Sequence, residues 1–175
     1  MNRTFGIISD YAAVRQDASR IIIGYDLQAA DEGHYTWNEV YFYKKQTPNP
    51  SLEQVKEAVV RDINEATKQK IIEGFVWNGH KVWLSSENQF NYKSAFDMAV
   101  QTGGESLPET FKFGTDEVPD YVTFETVSEL RNFWTAARNH IKQSQADGWA
   151  FKDGIDWRVY ESGLESLSEE GGDEP

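Results

Sequence analysis

Along the chain the apolar positions first follow the two-residue rhythm of strands and then switch to the three-to-four rhythm of helices. Arg20 to Gln28 (RIIIGYDLQ) and Tyr35 to Lys44 (YTWNEVYFYK) are β-branched and aromatic, with Asp31, Glu32 and Gly33 between them as turn formers. The pattern predicts a β-hairpin. In its second strand, alternation sends Tyr35, Trp37, Tyr41 and Tyr43 to one face and Val40 and Phe42 to the other, so both faces need cover. Thr47-Pro48-Asn49-Pro50 then stiffens the chain and ends this region, because each proline fixes its own φ and restricts the residue before it.

Ser51-Leu52-Glu53-Gln54 has the form of a capping box, and Leu52, Val55, Val59, Ile63 and Ala66 recur at helical spacing to about Ile72. Phe75-Val76-Trp77 and Lys81-Val82-Trp83-Leu84 flank Asn78-Gly79, the pair best suited to a tight primed turn, and predict a second hairpin. Ser86-Glu87-Asn88-Gln89 predicts the cap of a helix that buries Tyr92, Phe96, Ala99 and Val100 and stops at Gly103-Gly104. Thr110 to Phe113 and Tyr121 to Phe124 predict a third hairpin around a loop from Gly114 to Asp120. Thr126-Val127-Ser128-Glu129 caps a long helix whose Val127, Leu130, Trp134, Ala137 and Ile141 form one apolar stripe, with a short helix expected between Trp149 and Tyr160 after Gly148.

The fold class that follows is α+β: antiparallel hairpins packed with three main helices and a disordered acidic C-terminal tail. A chain of 175 residues with six Trp has ample material for a core without metal or disulfide, and it contains no cysteine. The expected organisation is an N-terminal hairpin region at 1–47, an α+β domain at 51–160 and a mobile acidic tail at 161–175 that adds little to stability. Two arrangements satisfy the hairpin. Either residues 1–47 serve attachment or oligomerisation, or Ile21, Ile23, Tyr25, Leu27 and Trp37 pack on helices of the same chain.

Net charge narrows the partners. At −12, with six carboxylates and no basic residue after Tyr160, the chain repels nucleic-acid phosphates and anionic lipid surfaces, and neither is an expected partner. No apolar run approaches the roughly 20 residues of a membrane span, and the stretch around Phe5, Ile7 and Ile8 is too short for a signal-peptide core, so folding in the cytoplasm is expected.

Candidate chemistry is sparse. His34, His80 and His140 lie in different elements without metal-ligand spacing; His80 reads as a solvated turn residue and His140 as the edge of the helical stripe. Asp116, Glu117 and Asp120 cluster in a loop but lack the ligand ladder of a calcium site, and Lys152 and Asp156 form a helical i, i+4 pair. No nucleotide-binding or hydrolase motif occurs, so the sequence assigns no catalytic, cofactor or metal residue. Trp134 reads as core, and Trp77 and Trp83 as cross-strand packing. Tyr35, Trp37, Tyr41 and Tyr43 form the aromatic face without an evident partner in the chain and are the candidate contact surface.

Six short stretches in order carry a resemblance over about residues 63–157: Glu73 to His80 (EGFVWNGH), Glu87 to Asn91 (ENQFN), Phe111 to Asp116 (FKFGTD), Thr126 to Leu130 (TVSEL), Ala137 with His140-Ile141, and Trp149 with Lys152 to Asp156. This arrangement resembles an uncharacterised domain family found in bacteriophage and prophage tail-region proteins and in elements of gut Bacteroidales. The resemblance implies a non-enzymatic virion structural or assembly accessory protein, located in the virion or in the host cytoplasm during assembly. Its implied partners are other virion proteins or further copies of itself. A carbohydrate- or peptide-binding module using the aromatic hairpin is the alternative, and an enzyme built from unremarkable carboxylates a third class.

The Asn78-Gly79 turn generates a first prediction. Gly79→Val should destabilise the protein by more than ~1 kcal/mol, because a β-branched residue at positive φ is strained. An unchanged midpoint in denaturant melts would remove the turn assignment.

Overall fold

The computed structural model describes residues 2–115 and 117–170. Among these residues, eight strands and four α-helices follow one another as β1 (Asn2–Ile7), β2 (Val14–Gln16), β3 (Arg20–Ala29), β4 (His34–Tyr43), α1 (Leu52–Glu73), β5 (Phe75–Trp77), β6 (His80–Val82), α2 (Ser86–Gln101), β7 (Glu109–Gly114), β8 (Pro119–Phe124), α3 (Val127–Asp153) and α4 (Arg158–Glu170). All strand pairs are antiparallel and the protein is α+β. Among the described residues no helix is long and apolar enough to cross a membrane.

The chain divides into two compact units, residues 1–66 with 151–175 and residues 67–150. The boundaries fall within α1 and α3, not at the Pro48-Asn49-Pro50 break. The reason lies in the sheet of the first unit.

That sheet has the order β1-β4-β3-β2. The predicted hairpin is its centre, and the short β1 and β2, which weak periodicity hid, add one strand on each side. Ile21, Ile23 and Tyr25 of β3, with Val40 and Phe42 of β4, pack against Val55, Val59 and Ile63 of α1 and Tyr160 of α4. Of the five residues expected to pack on helices of the same chain, Ile21, Ile23 and Tyr25 do so, whereas Leu27 is exposed and Trp37 lies on the other face of the sheet. Tyr25 donates a hydrogen bond to Asp62 on α1, and burial followed by that bond raises its phenol above the ordinary range.

The first part of the expected tail is helical. Residues 161–170 belong to α4, where Leu164 and Leu167 pack on the same core and the Tyr160 hydroxyl donates to the Gly24 carbonyl at 3.2 Å. A Cβ on Gly163 would lie 2.7 Å from Val14, so the helix backbone rests directly on β2. Residues 171–175, the rest of the expected tail, lie outside the described residues.

The opposite face of the sheet carries Ile22, Gly24, Trp37, Glu39 and Tyr41, as the register requires: Ile22 faces Tyr41 and Gly24 faces Glu39. Tyr11 covers it, edge-on to Trp37 at 5.8 Å and donating to the Gly24 carbonyl at 3.2 Å. Glu39 is 4% exposed, and its carboxylate accepts from Trp37 Nε1 at 2.8 Å, Arg15 at 2.9 Å and the Tyr41 hydroxyl at 2.9 Å. Burial alone pushes the Glu39 carboxyl up, but the bonds from Trp37, Arg15 and Tyr41 outweigh it and hold the group below its ordinary value.

In the second unit the helix limits agree with the caps, with two exceptions. Ser85, not Ser86, caps α2, accepting from the Asn88 amide at 3.2 Å, and Val100, expected to be buried, is exposed. Gly148 does not end α3, which runs on to Asp153. A Cβ there would lie 2.4 Å from Thr67 Oγ1, so this glycine serves close approach of two helices and not termination. The core gathers Phe75, Val82 and Leu84 of the second hairpin, Phe111, Phe113 and Phe124 of the third, Tyr92 and Ala99 of α2, and Leu130, Phe133, Ala137 and Ile141 of α3.

Two predictions follow from these contacts. Leu164→Ala with Leu167→Ala should cost about 2 kcal/mol in denaturant melts, from two half-buried side chains; an unchanged midpoint would show that α4 does not dock. Glu39→Gln should cost about 1–3 kcal/mol at neutral pH, since it leaves buried donors poorly met. The native carboxyl has the lower pKa, so its contribution is full above the unfolded value and lost as pH falls through the folded one. The gap between variant and native protein should therefore narrow in acid, and a pH-independent gap would contradict the charge assignment.

Candidate functional site

Three of the four candidate contact residues are drawn into the protein. Trp37 is 2% exposed and bonded to Glu39, while Tyr41 is half-buried between Glu39 and Arg20, whose guanidinium lies 4.9 Å from its ring centroid. Tyr35 is half-buried and only Tyr43 is exposed. The partners that cover this face, Tyr11 and Arg15, come from segments whose sequence pattern is weak. The Trp37-x-Glu39-x-Tyr41 spacing was a readable signal, since alternation sets a carboxylate between two side chains able to donate to it.

Tyr43 lines smaller pockets on its sheet, and Trp83 is an exposed aromatic in a larger concave setting. Strand alternation buries Val82 and Leu84 and turns Lys81 and Trp83 outward, leaving Trp83 47% exposed. Lys81, Trp83, Asn88, Lys112, Phe113, Gly114 and Thr115 line a cleft of about 530 Å³. Its size is that of a small-ligand or peptide-segment site.

The cleft is built by three local devices. Asn78 and Gly79 both have positive φ, 47° and 88°, as the primed turn between β5 and β6 demands. At the N-terminus of α2, Asn88 Nδ2 donates to the Trp83 carbonyl at 2.9 Å and Gln89 Nε2 to the Leu84 carbonyl at 2.7 Å, which clamps the backbone beneath the indole. At the end of β7, Gly114 has φ 78°, and a Cβ would lie 2.3 Å from the Val118 carbonyl, so the turn there requires glycine.

His80, expected to be solvated, pairs through Nδ1 with Asp120 and links the two hairpins beside the cleft. His140 donates through Nε2 to the Lys70 carbonyl at 3.0 Å and lies against Phe75, at the edge of the apolar stripe. Lys152 reaches Asn64 at 2.8 Å and Asp156 pairs with Arg158, so the expected Lys152–Asp156 pair is replaced by other partners. Of the loop acids, Asp116 lies outside the described residues. Among the described residues no group of three or more metal-binding side chains is assembled.

Chemically the cleft offers an indole face, two ammonium groups and an amide. That set holds an apolar group beside a negative charge.

No curated protein and no solved structure matches the chain. A family model described as Domain of unknown function (DUF4376) matches residues 54–165, which include every residue lining the cleft. The chain belongs to the DUF4376 family.

Proposed function

We propose that the protein is a non-enzymatic structural or assembly accessory protein of a bacteriophage or prophage virion, in its tail region, acting through protein–protein contacts. The observation that carries the contact role is Trp83, a half-exposed indole held rigidly at the wall of a cleft between two lysines. Rigid aromatic anchors of this kind dominate the energetics of protein interfaces. The tail-region assignment draws on the order of motifs from Glu73 to Asp156. The partners on this reading are other virion proteins, with the protein in the virion or in the host cytoplasm during assembly.

The ligand-binding alternative moves with the geometry. Trp37 is enclosed and offers that reading no platform, Tyr43 stays exposed on the hairpin, and Trp83 supplies a further accessible indole for the same role.

Mass spectrometry of gradient-purified particles and assembly intermediates from an induced host tests the proposal. The chain is expected to co-sediment with one of them. A protein found only in the free soluble fraction would overturn the virion role.

A further inference from the structure

We infer that the cleft between β6 and β7 binds an extended acidic segment of a partner protein, with an apolar side chain of that segment on Trp83 and its carboxylates at Lys81 and Lys112. The inference rests on the protein-contact reading of this cleft and adds the chemistry of the partner.

The surface around the cleft is larger than its lining. Directly paired residues of an antiparallel ladder share a face, and Val76 pairs with Lys81 while Tyr121 pairs with Lys112. Val76 is 58% and Tyr121 66% exposed, so each lysine stands next to an apolar neighbour on its own strand pair. Each of the two strand pairs thus sets an apolar and a cationic group side by side on its exposed face. An extended segment with apolar and acidic side chains has the complementary pattern.

Charge selects the sign of the partner. The chain carries −12 overall, so its general field repels an acidic segment, and two ammonium groups at the rim of one cleft give such a segment a local place to settle. Lys81 makes no ion pair among the described residues. The bonds from Asn88 and Gln89 hold the backbone at Trp83 and Leu84 before any partner arrives, which lowers the ordering cost of binding. A saccharide fits less well: Val76 offers nothing to a hydroxyl, and an aliphatic flank favours a side chain of its own kind.

The test uses the full chain and a fluorescein-labelled peptide of alternating Glu and Phe, read by fluorescence anisotropy. Binding is expected, with loss on raising salt and none for the matching Lys and Phe peptide. Trp83→Ala and Lys81→Glu should each weaken it about tenfold or more, with melting temperatures recorded alongside. If Trp83→Ala fails to fold, Lys81→Glu and Lys112→Glu decide, since both are surface charges. No binding by the native chain, or undiminished binding by the folded variants, would overturn the inference, as would binding of an oligogalacturonate in preference to the peptide. Failure here with the chain still present in particles sinks the site alone, whereas peptide binding without particle association sinks the virion role alone.

Discussion

Phe133 is the side chain on which the cleft-bearing unit depends. It is fully buried, and the rings of Phe75, Trp77, Tyr92, Phe111, Phe113 and Phe124 surround it at 5.1 to 6.2 Å. These rings come from β5, α2, β7 and β8, so one position on α3 brings both hairpins and the second helix to a common centre. Two-stranded hairpins are marginal alone in water, and here each gains its stability by setting an inner face on this aromatic cluster. The outer faces are then left to solvent, and the cleft with Trp83 lies between them.

In the first unit the governing constraint is a sheet that needs cover on both sides. Three consecutive isoleucines on β3 send apolar groups to both faces, and the two faces are answered differently. One is closed by helices in the ordinary apolar way. The other is closed by Tyr11, with a buried glutamate satisfied by an indole, a guanidinium and a phenol. Such a network tolerates little, because each donor exists to meet that carboxylate and a low dielectric penalises any group left over. Trp37 and Tyr41, which resemble part of a binding surface in the sequence, are in this way committed to the fold.

The two aromatic settings differ in what holds them. Trp37 is fixed by its own indole N–H and is enclosed, whereas Trp83 is fixed through its backbone by Asn88, so its ring stays available. That distinction separates an enclosed indole from an accessible one.

Local signals in the sequence determined the α+β class, the three hairpins and the three long helices. Asn78-Gly79 with its positive φ values and the reciprocal bonds of Ser51 with Gln54 and Thr126 with Glu129 are interactions within a few residues, so short stretches suffice to specify them. What the sequence left open involves partners distant along the chain. Strands β1 and β2 lack a run of β-branched and aromatic residues and are placed by the edges that β4 and β3 offer them. Helix α4 looked like an acidic tail because Leu164 and Leu167 gain burial only on a sheet more than a hundred residues away. Gly148 read as a helix end, and only the position of Thr67 decides that it is a close contact. Which of six tryptophans meets solvent was likewise decided by tertiary structure, since exposure depends on what folds over a face and not on the face itself.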